Sequence, residues 1–230
     1  SVTLSGARPA AAAASPIRSR MAARAAAMSE GTLMRSAQVL AATAARLNRD
    51  AGAPAIPSLY FFTDPERTPD PCAAARRLPR GAAVVYRHFG APDRARRARE
   101  LTAICRARRL LLLIGADPDL AQICGADGVH WPERLLPAQR SDFPLVTGAA
   151  HSAAAAARVA AAGLDACVLS PVLSTESASA NPTLGLFRAS QIARASAIPM
   201  IALGGINADV ARLLPGRGFA GIAAVSGLAA

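Results

Sequence analysis

The sequence predicts a compact (β/α)8 TIM barrel of the α/β class. Eight short apolar runs follow Pro57, alanine- and arginine-rich segments of helical character separate several of them, and the whole set fits in about 170 residues. The runs are mostly continuous rather than alternating, as strands covered on both faces must be. Strands that alternate with helices form right-handed βαβ units and therefore a parallel sheet. A doubly wound open sheet is the runner-up architecture.

Residues 1–33 are rich in Ala, Ser and Arg and reach their first acid at Glu30, a composition that imitates an organellar leader. The same alanine and arginine bias pervades the chain, and no Met precedes the segment. The expectation is therefore a disordered extension or a mis-assigned start, with translation beginning at Met21, Met28 or Met34. Over 34–57 the spacing of Ala37, Leu40, Ala44 and Leu47 predicts a short amphipathic helix to residue 49, then a linker punctuated by Gly52, Pro54 and Pro57.

The barrel is expected over 58–230. Its strands are read at SLYFFTD (58–64), GAAVVYRH (81–88), RLLLLIG (109–115), DGVHW (127–131), DFPLVTG (142–148), DACVLSP (165–171), IPMIALGG (198–205) and GFAGIAAVSG (218–227). Helices are predicted at 70–79, 93–108, 152–162, 186–196 and 207–214. Only four residues follow Ser226, so the last helix is truncated, and the 34–49 helix is expected to cover that end of the barrel.

Composition narrows the chemistry. The formal charge is +11, but residues 1–49 hold seven arginines and one glutamate, leaving about +5 on the rest. No lysine is present, which removes Schiff-base aldolase chemistry and the lysine-bearing P-loop. Cys72, Cys105, Cys124 and Cys167 are widely spaced without a CxxC pair, so they read as buried reduced thiols of a cytoplasmic protein. No long apolar run is free of charge or Gly/Pro punctuation, so no membrane span is expected. The run Arg94, Arg96, Arg97, Arg99 has little aromatic company and reads as a solvated helix face, not a nucleic-acid surface.

In such barrels the functional face lies at the C-terminal ends of the strands, and phosphate is often held after strands 7 and 8. Gly204 and Gly205 follow strand 7, and Val225, Ser226 and Gly227 follow strand 8, so their amides are expected to form a phosphate cup. The simpler reading is that the glycines turn the chain toward a helix. His88, His130 and His151 each fall at or just after a strand. His88 reads as structural, and His130 is open between barrel wall and ligand contact. His151, at a helix start after strand 5, is the candidate for proton transfer. Arg87 follows strand 2, where a guanidinium meets an anionic or planar ligand, or else stays a surface charge. Thr175 and Ser177, in the loop after strand 6, offer hydroxyls to phosphate or simply cap a polar loop.

With these positions assembled, the chain from about Leu59 resembles the thiamine phosphate synthase and TenI family of barrels. The carrying residues are GADGVH (125–130), AHS (150–152), SPVLSTES (170–177), PTLG (182–185), IPMIALGGI (198–206) and GFAGIAAVSG (218–227). The resemblance implies a thiazole or thiamine-pathway phosphate as ligand, held by Gly204, Gly205, Val225 and Ser226. It implies no nucleic-acid or membrane partner and leaves a homo-oligomer open.

Departures from the synthase pattern are concentrated where metal and pyrophosphate are handled. Of the Gln-x-Arg-x-Lys pattern after strand 2 only Arg87 survives, with Val85 and Phe89 at the other positions. An Asn-Asp pair is replaced by Gly115 and Ala116, the second acid falls on Leu135, the strand 6 loop lysine falls near Ala178, and the serine before AHS is Ala149. Asp117, Asp119 and Glu133 are the available substitutes. Pyrophosphate leaves readily only when its charge is neutralised. The expectation is therefore a TenI-like thiazole phosphate tautomerisation with His151 as acid/base and no metal cofactor. The alternatives are a Mg²⁺-dependent thiamine phosphate synthase and a non-catalytic regulator that binds a phosphate ligand.

Overall fold

The strands pair in sequence order and the eighth closes on the first, all parallel. The computed structural model describes residues 16–174, 182–225 and 228. Its elements are α1 (Pro16–Asp50), β1 (Leu59–Phe62), α2 (Pro71–Arg77), β2 (Ala83–Tyr86), α3 (Arg94–Arg108), β3 (Leu111–Gly115), α4 (Pro118–Cys124) and β4 (Gly128–Trp131). A 3₁₀ turn at Glu133–Leu135 precedes β5 (Leu145–Ala150), α5 (Ala153–Ala161), β6 (Ala166–Leu169), α6 (Leu186–Ala195), β7 (Met200–Ala202), α7 (Ala208–Ala211) and β8 (Gly221–Ala224). The expected barrel is the observed one, and every predicted strand is present.

Period-two alternation sorts the strand residues into two cores. Tyr60, Phe62, Val85, Leu113, Val168 and Ile201 fill the lumen, while Phe61, Val84, Leu112, Ile114 and Ile222 pack outward against the helices. Because the lumen is packed, anything the barrel binds meets the strand ends. Short polar caps start several helices at that face: Asp70 accepts from the Ala73 amide, Asp117 from Leu120, Ser152 from Ala155 and Asn207 from Val210.

Two elements differ from expectation. α1 begins at Pro16 rather than near Met34, because the alanine- and arginine-rich stretch read as leader-like is also strongly helix-forming. α4 was not expected, since Asp-Pro-Asp resembles a loop. Asp117 and Pro118 instead form a capped helix start with proline in the first turn.

The place of an eighth outer helix is taken by α1. Leu40, Ala44 and Leu47 are buried against β8, β1 and α7. Just beyond them Asn48 donates from Nδ2 to the carbonyls of Ala53 at 2.7 Å, Ile56 at 3.3 Å and Ala220 at 3.4 Å, tying the linker to the foot of β8. The four cysteines are buried free thiols, and burial raises those of Cys72, Cys105 and Cys167. Among the described residues no helix is long and apolar enough to cross a membrane.

Candidate functional site

Three side chains form the floor of the barrel mouth. His130 on β4 points into the lumen with Nδ1 2.9 Å from Thr147 Oγ1, and its ring stands edge-on to Phe62 with centroids 4.9 Å apart. Burial, and then the nearby Arg87 cation, push its pKa down to about 3. The ring is therefore neutral near pH 7 and 95% enclosed, so the structure places His130 in the wall.

Above this floor the chain leaves β2 through a tight turn. The Phe89 amide donates to the Arg87 carbonyl at 2.5 Å around His88, which leaves Arg87 and Phe89 on the mouth side. His88 turns the other way and lies buried against Tyr86, in keeping with a structural role. The Arg87 guanidinium lies 5.2 Å from the Phe62 ring centre, donates from Nε to the Thr63 carbonyl at 2.9 Å and approaches Asp64 at 3.9 Å. Burial lowers its pKa, yet a guanidinium stays charged at any physiological pH. Arg87 is thus a cation held at the rim.

His151 stands at the end of β5. Its Nδ1 is 2.6 Å from the Ser170 carbonyl oxygen, which only accepts, so Nδ1 carries the proton. In the neutral ring Nε2 is then the basic nitrogen, and it has no hydrogen bond among the described residues. Its backbone amide donates to Glu133 Oε2 at 2.9 Å, while Glu133 Oε1 accepts from Arg158 at 2.7 Å. The ring is half-buried, which gives a base of fixed tautomer access to the mouth.

The loop after β7 lies against the segment after β6. The Val172 and Leu173 amides donate to the carbonyls of Leu203 and Gly204 at 2.9 and 3.0 Å. Gly204 and Gly205 have φ of +96° and +66°, and an added Cβ would come within 2.8 Å of Pro171 Cα and 2.6 Å of the Ser174 carbonyl. Both glycines are therefore required by this close approach, whether or not an anion binds. Among the described residues their own amides have no hydrogen bond, and Val225 directly follows the neighbouring β8. Thr175, Ser177 and Ser226 lie outside the described residues.

A synthase would imply Mg²⁺, which needs several free oxygen donors. Asp117 Oδ1 caps α4 at 2.9 Å from the Leu120 amide, and Oδ2 pairs with Arg94. Both oxygens of Glu133 are engaged as above, and Asp119 is exposed on α4. Among the described residues no three His, Cys, Asp or Glu side chains gather. Among the described residues Asp117 and Glu133, so engaged, and exposed Asp119 do not fit a Mg²⁺ site. In the arginine run, Arg96 and Arg97 both pair with Asp93, at 2.8 and 2.7 Å.

Phe62, Thr147 and Ser170 were not singled out from sequence. Strand parity would have found the first two, since each lies two residues from a lumen-facing neighbour. The Ser170 carbonyl carries no sequence signal. A cavity of about 780 Å³ opens at the opposite end of the barrel, among Ala53, Ile56, Asp165 and Arg194, away from all these groups.

Known proteins match this chain over the same region. The family model for thiamine monophosphate synthase matches residues 59–228. A relative from Aquifex aeolicus is 31% identical over 180 residues, spanning 74% of this chain and 97% of its own length. The thiamine-phosphate synthase of Alcanivorax borkumensis is 30% identical over 182 residues, 74% of this chain and 84% of that protein. Among solved structures, thiamine phosphate pyrophosphorylase from Pyrococcus furiosus is similar with a TM-score of 0.64 and 25% identity, covering 73% of this chain and 85% of that one. Matched from β1 to beyond β8 in sequence and in fold, the chain belongs to the thiamine monophosphate synthase family.

Proposed function

We propose that this barrel is a TenI-like isomerase that moves a proton on a thiazole phosphate. The observation that carries the reading is His151, whose Nδ1–H is held by the Ser170 carbonyl and whose Nε2 is left as the basic nitrogen. The phosphate is held after β7 and β8, with Gly204, Gly205, Val225 and Ser226 as its proposed contacts and the hydroxyls of Thr175 and Ser177 as further candidate donors. Arg87 orients an acid group on the ring, and neutral His130 supports the floor. Nε2 accepts a proton from one ring-system carbon and returns it to another, so the formula of the ligand is unchanged and no group leaves. The engagement of Asp117 and Glu133 in ion pairs supports a reaction of this kind, because it asks for no metal-bound pyrophosphate.

The test is conversion of the non-aromatic thiazole phosphate tautomer to the aromatic one, followed by ultraviolet absorbance in D₂O. Turnover with solvent deuterium in the product, lowered about a hundredfold or more in His151→Ala, is expected. Equal rates with and without enzyme would sink the reading.

A second reading is favoured by the name of the Alcanivorax relative: a thiamine-phosphate synthase joining a pyrimidine diphosphate to thiazole phosphate. Pyrophosphate release from that pair of substrates, measured with and without Mg²⁺, separates the two. Binding of thiazole phosphate with neither activity selects a non-catalytic regulator.

A further inference from the structure

Phe89 is an aromatic ring held in the mouth with much of its surface left open. Gly115, the last residue of β3, pairs in register with lumen-facing His130 and so directs its missing side chain inward. Phe89 fills that place: its ring tip is 3.1 Å from where a Gly115 Cβ would stand. The Arg94 guanidinium lies 5.5 Å from the ring centre, and Arg94 is itself anchored on Asp117 and, at 3.0 Å, on the Gly115 carbonyl. The backbone before the ring is fixed by the turn at His88. Yet 57% of Phe89 remains exposed.

Phe187 on α6 is exposed further, at 74%, but has no ring or cation contact among the described residues and reads as an ordinary solvated side chain. Phe89 differs because a glycine, a cation and a turn fix it while more than half of its surface stays open. A pre-oriented aromatic surface loses little freedom on binding, and planar rings stack on it in offset or edge-on geometry.

We propose that Phe89 is a specificity-determining residue: the wall on which the planar heterocycle of a phosphorylated ligand lies, across the mouth from His151 and the β7–β8 rim. This rests on the reading of the site as one for a heterocyclic phosphate. The ring contributes apolar stacking area and no charge, so it selects for the heterocycle and is indifferent to the phosphate. Arg94 positions the ring and touches no ligand in this arrangement.

Calorimetric titration of wild type, Phe89→Ala and Phe89→Tyr with thiazole phosphate and with inorganic phosphate tests this. Phe89→Ala is expected to weaken thiazole phosphate by about tenfold or more while leaving the affinity for inorganic phosphate and the melting temperature unchanged. Phe89→Tyr is expected to retain thiazole phosphate binding. Equal thiazole phosphate affinity in wild type and Phe89→Ala overturns the inference and leaves the site reading standing. Parallel loss of inorganic phosphate in Phe89→Ala also overturns it, since the mouth as a whole has then changed. Absence of thiazole phosphate binding by the wild type overturns the site reading and the inference together.

Discussion

His151 Nδ1 lies 2.6 Å from the carbonyl oxygen of Ser170, so the end of β6 sets the tautomer of a side chain on the end of β5. A backbone carbonyl can only accept, so this partner holds the ring by its Nδ1–H. General acid/base groups of this type contribute about 10²- to 10⁴-fold. His151→Ala is therefore expected to lower thiazole phosphate isomerisation by that factor with little change in melting temperature, because the ring is only half-buried. Initial rates and thermal melting of the same preparation check both halves.

The neutral state of His130 makes stability depend on pH with a definite sign. Its folded pKa of about 3 lies below the ordinary 6.5, so between these values the unfolded chain binds the extra proton. Its contribution is complete above about pH 6.5, falls by about 1.4 kcal/mol per pH unit on acidification, and stops changing near pH 3. His88, also lowered by burial, acts in the same direction. His130→Asn, compared with wild type by urea denaturation from pH 7 downward, should lose stability less steeply by about one proton. Parallel slopes would show that His130 titrates normally.

The fold was legible because each strand is a short apolar run and each connection is punctuated. Chemistry at the strand ends was legible where a side chain announces itself, as with His151 and Arg87. What escaped was geometry that depends on two distant segments meeting. Gly204 and Gly205 looked like an anion loop, and nothing in their own stretch reveals that Pro171 and Ser174 press against them. Phe89 looked like the loss of a lysine, whereas its fit over Gly115 needs β2 and β3 side by side. Glu133 and Asp117 looked free until Arg158 and Arg94 arrived from other helices.

The double role of the glycine pair separates stability from binding. Gly205→Ala forces a Cβ to within 2.6 Å of the Ser174 carbonyl at φ +66°. Left-handed backbone alone costs an L-residue about 1–2 kcal/mol. Gly81 has φ +81° with nothing within 4 Å of its added Cβ, so Gly81→Ala meets only that backbone cost. Gly205→Ala should melt lower than Gly81→Ala and should also weaken inorganic phosphate binding, while Gly81→Ala leaves phosphate binding intact. Equal melting temperatures would mean the β6 segment yields easily.

Sealing of the barrel between β8 and β1 rests on the C-terminal part of α1. Leu40, Ala44 and Leu47 are 1%, 0% and 1% exposed, and Asn48 ties the linker to Ala220. Leu47→Ala removes a fully buried side chain and is expected to cost about 2–5 kcal/mol. Among the described residues the buried contacts of α1 begin near Ala37, and a chain starting at Met34 is expected to melt with the full-length protein. A chain starting after Asp50 exposes the outward faces of β8 and β1 and should be insoluble or lose its cooperative transition. If the second truncation melts like the first, α1 is dispensable and the outer face of β8 is covered by something else.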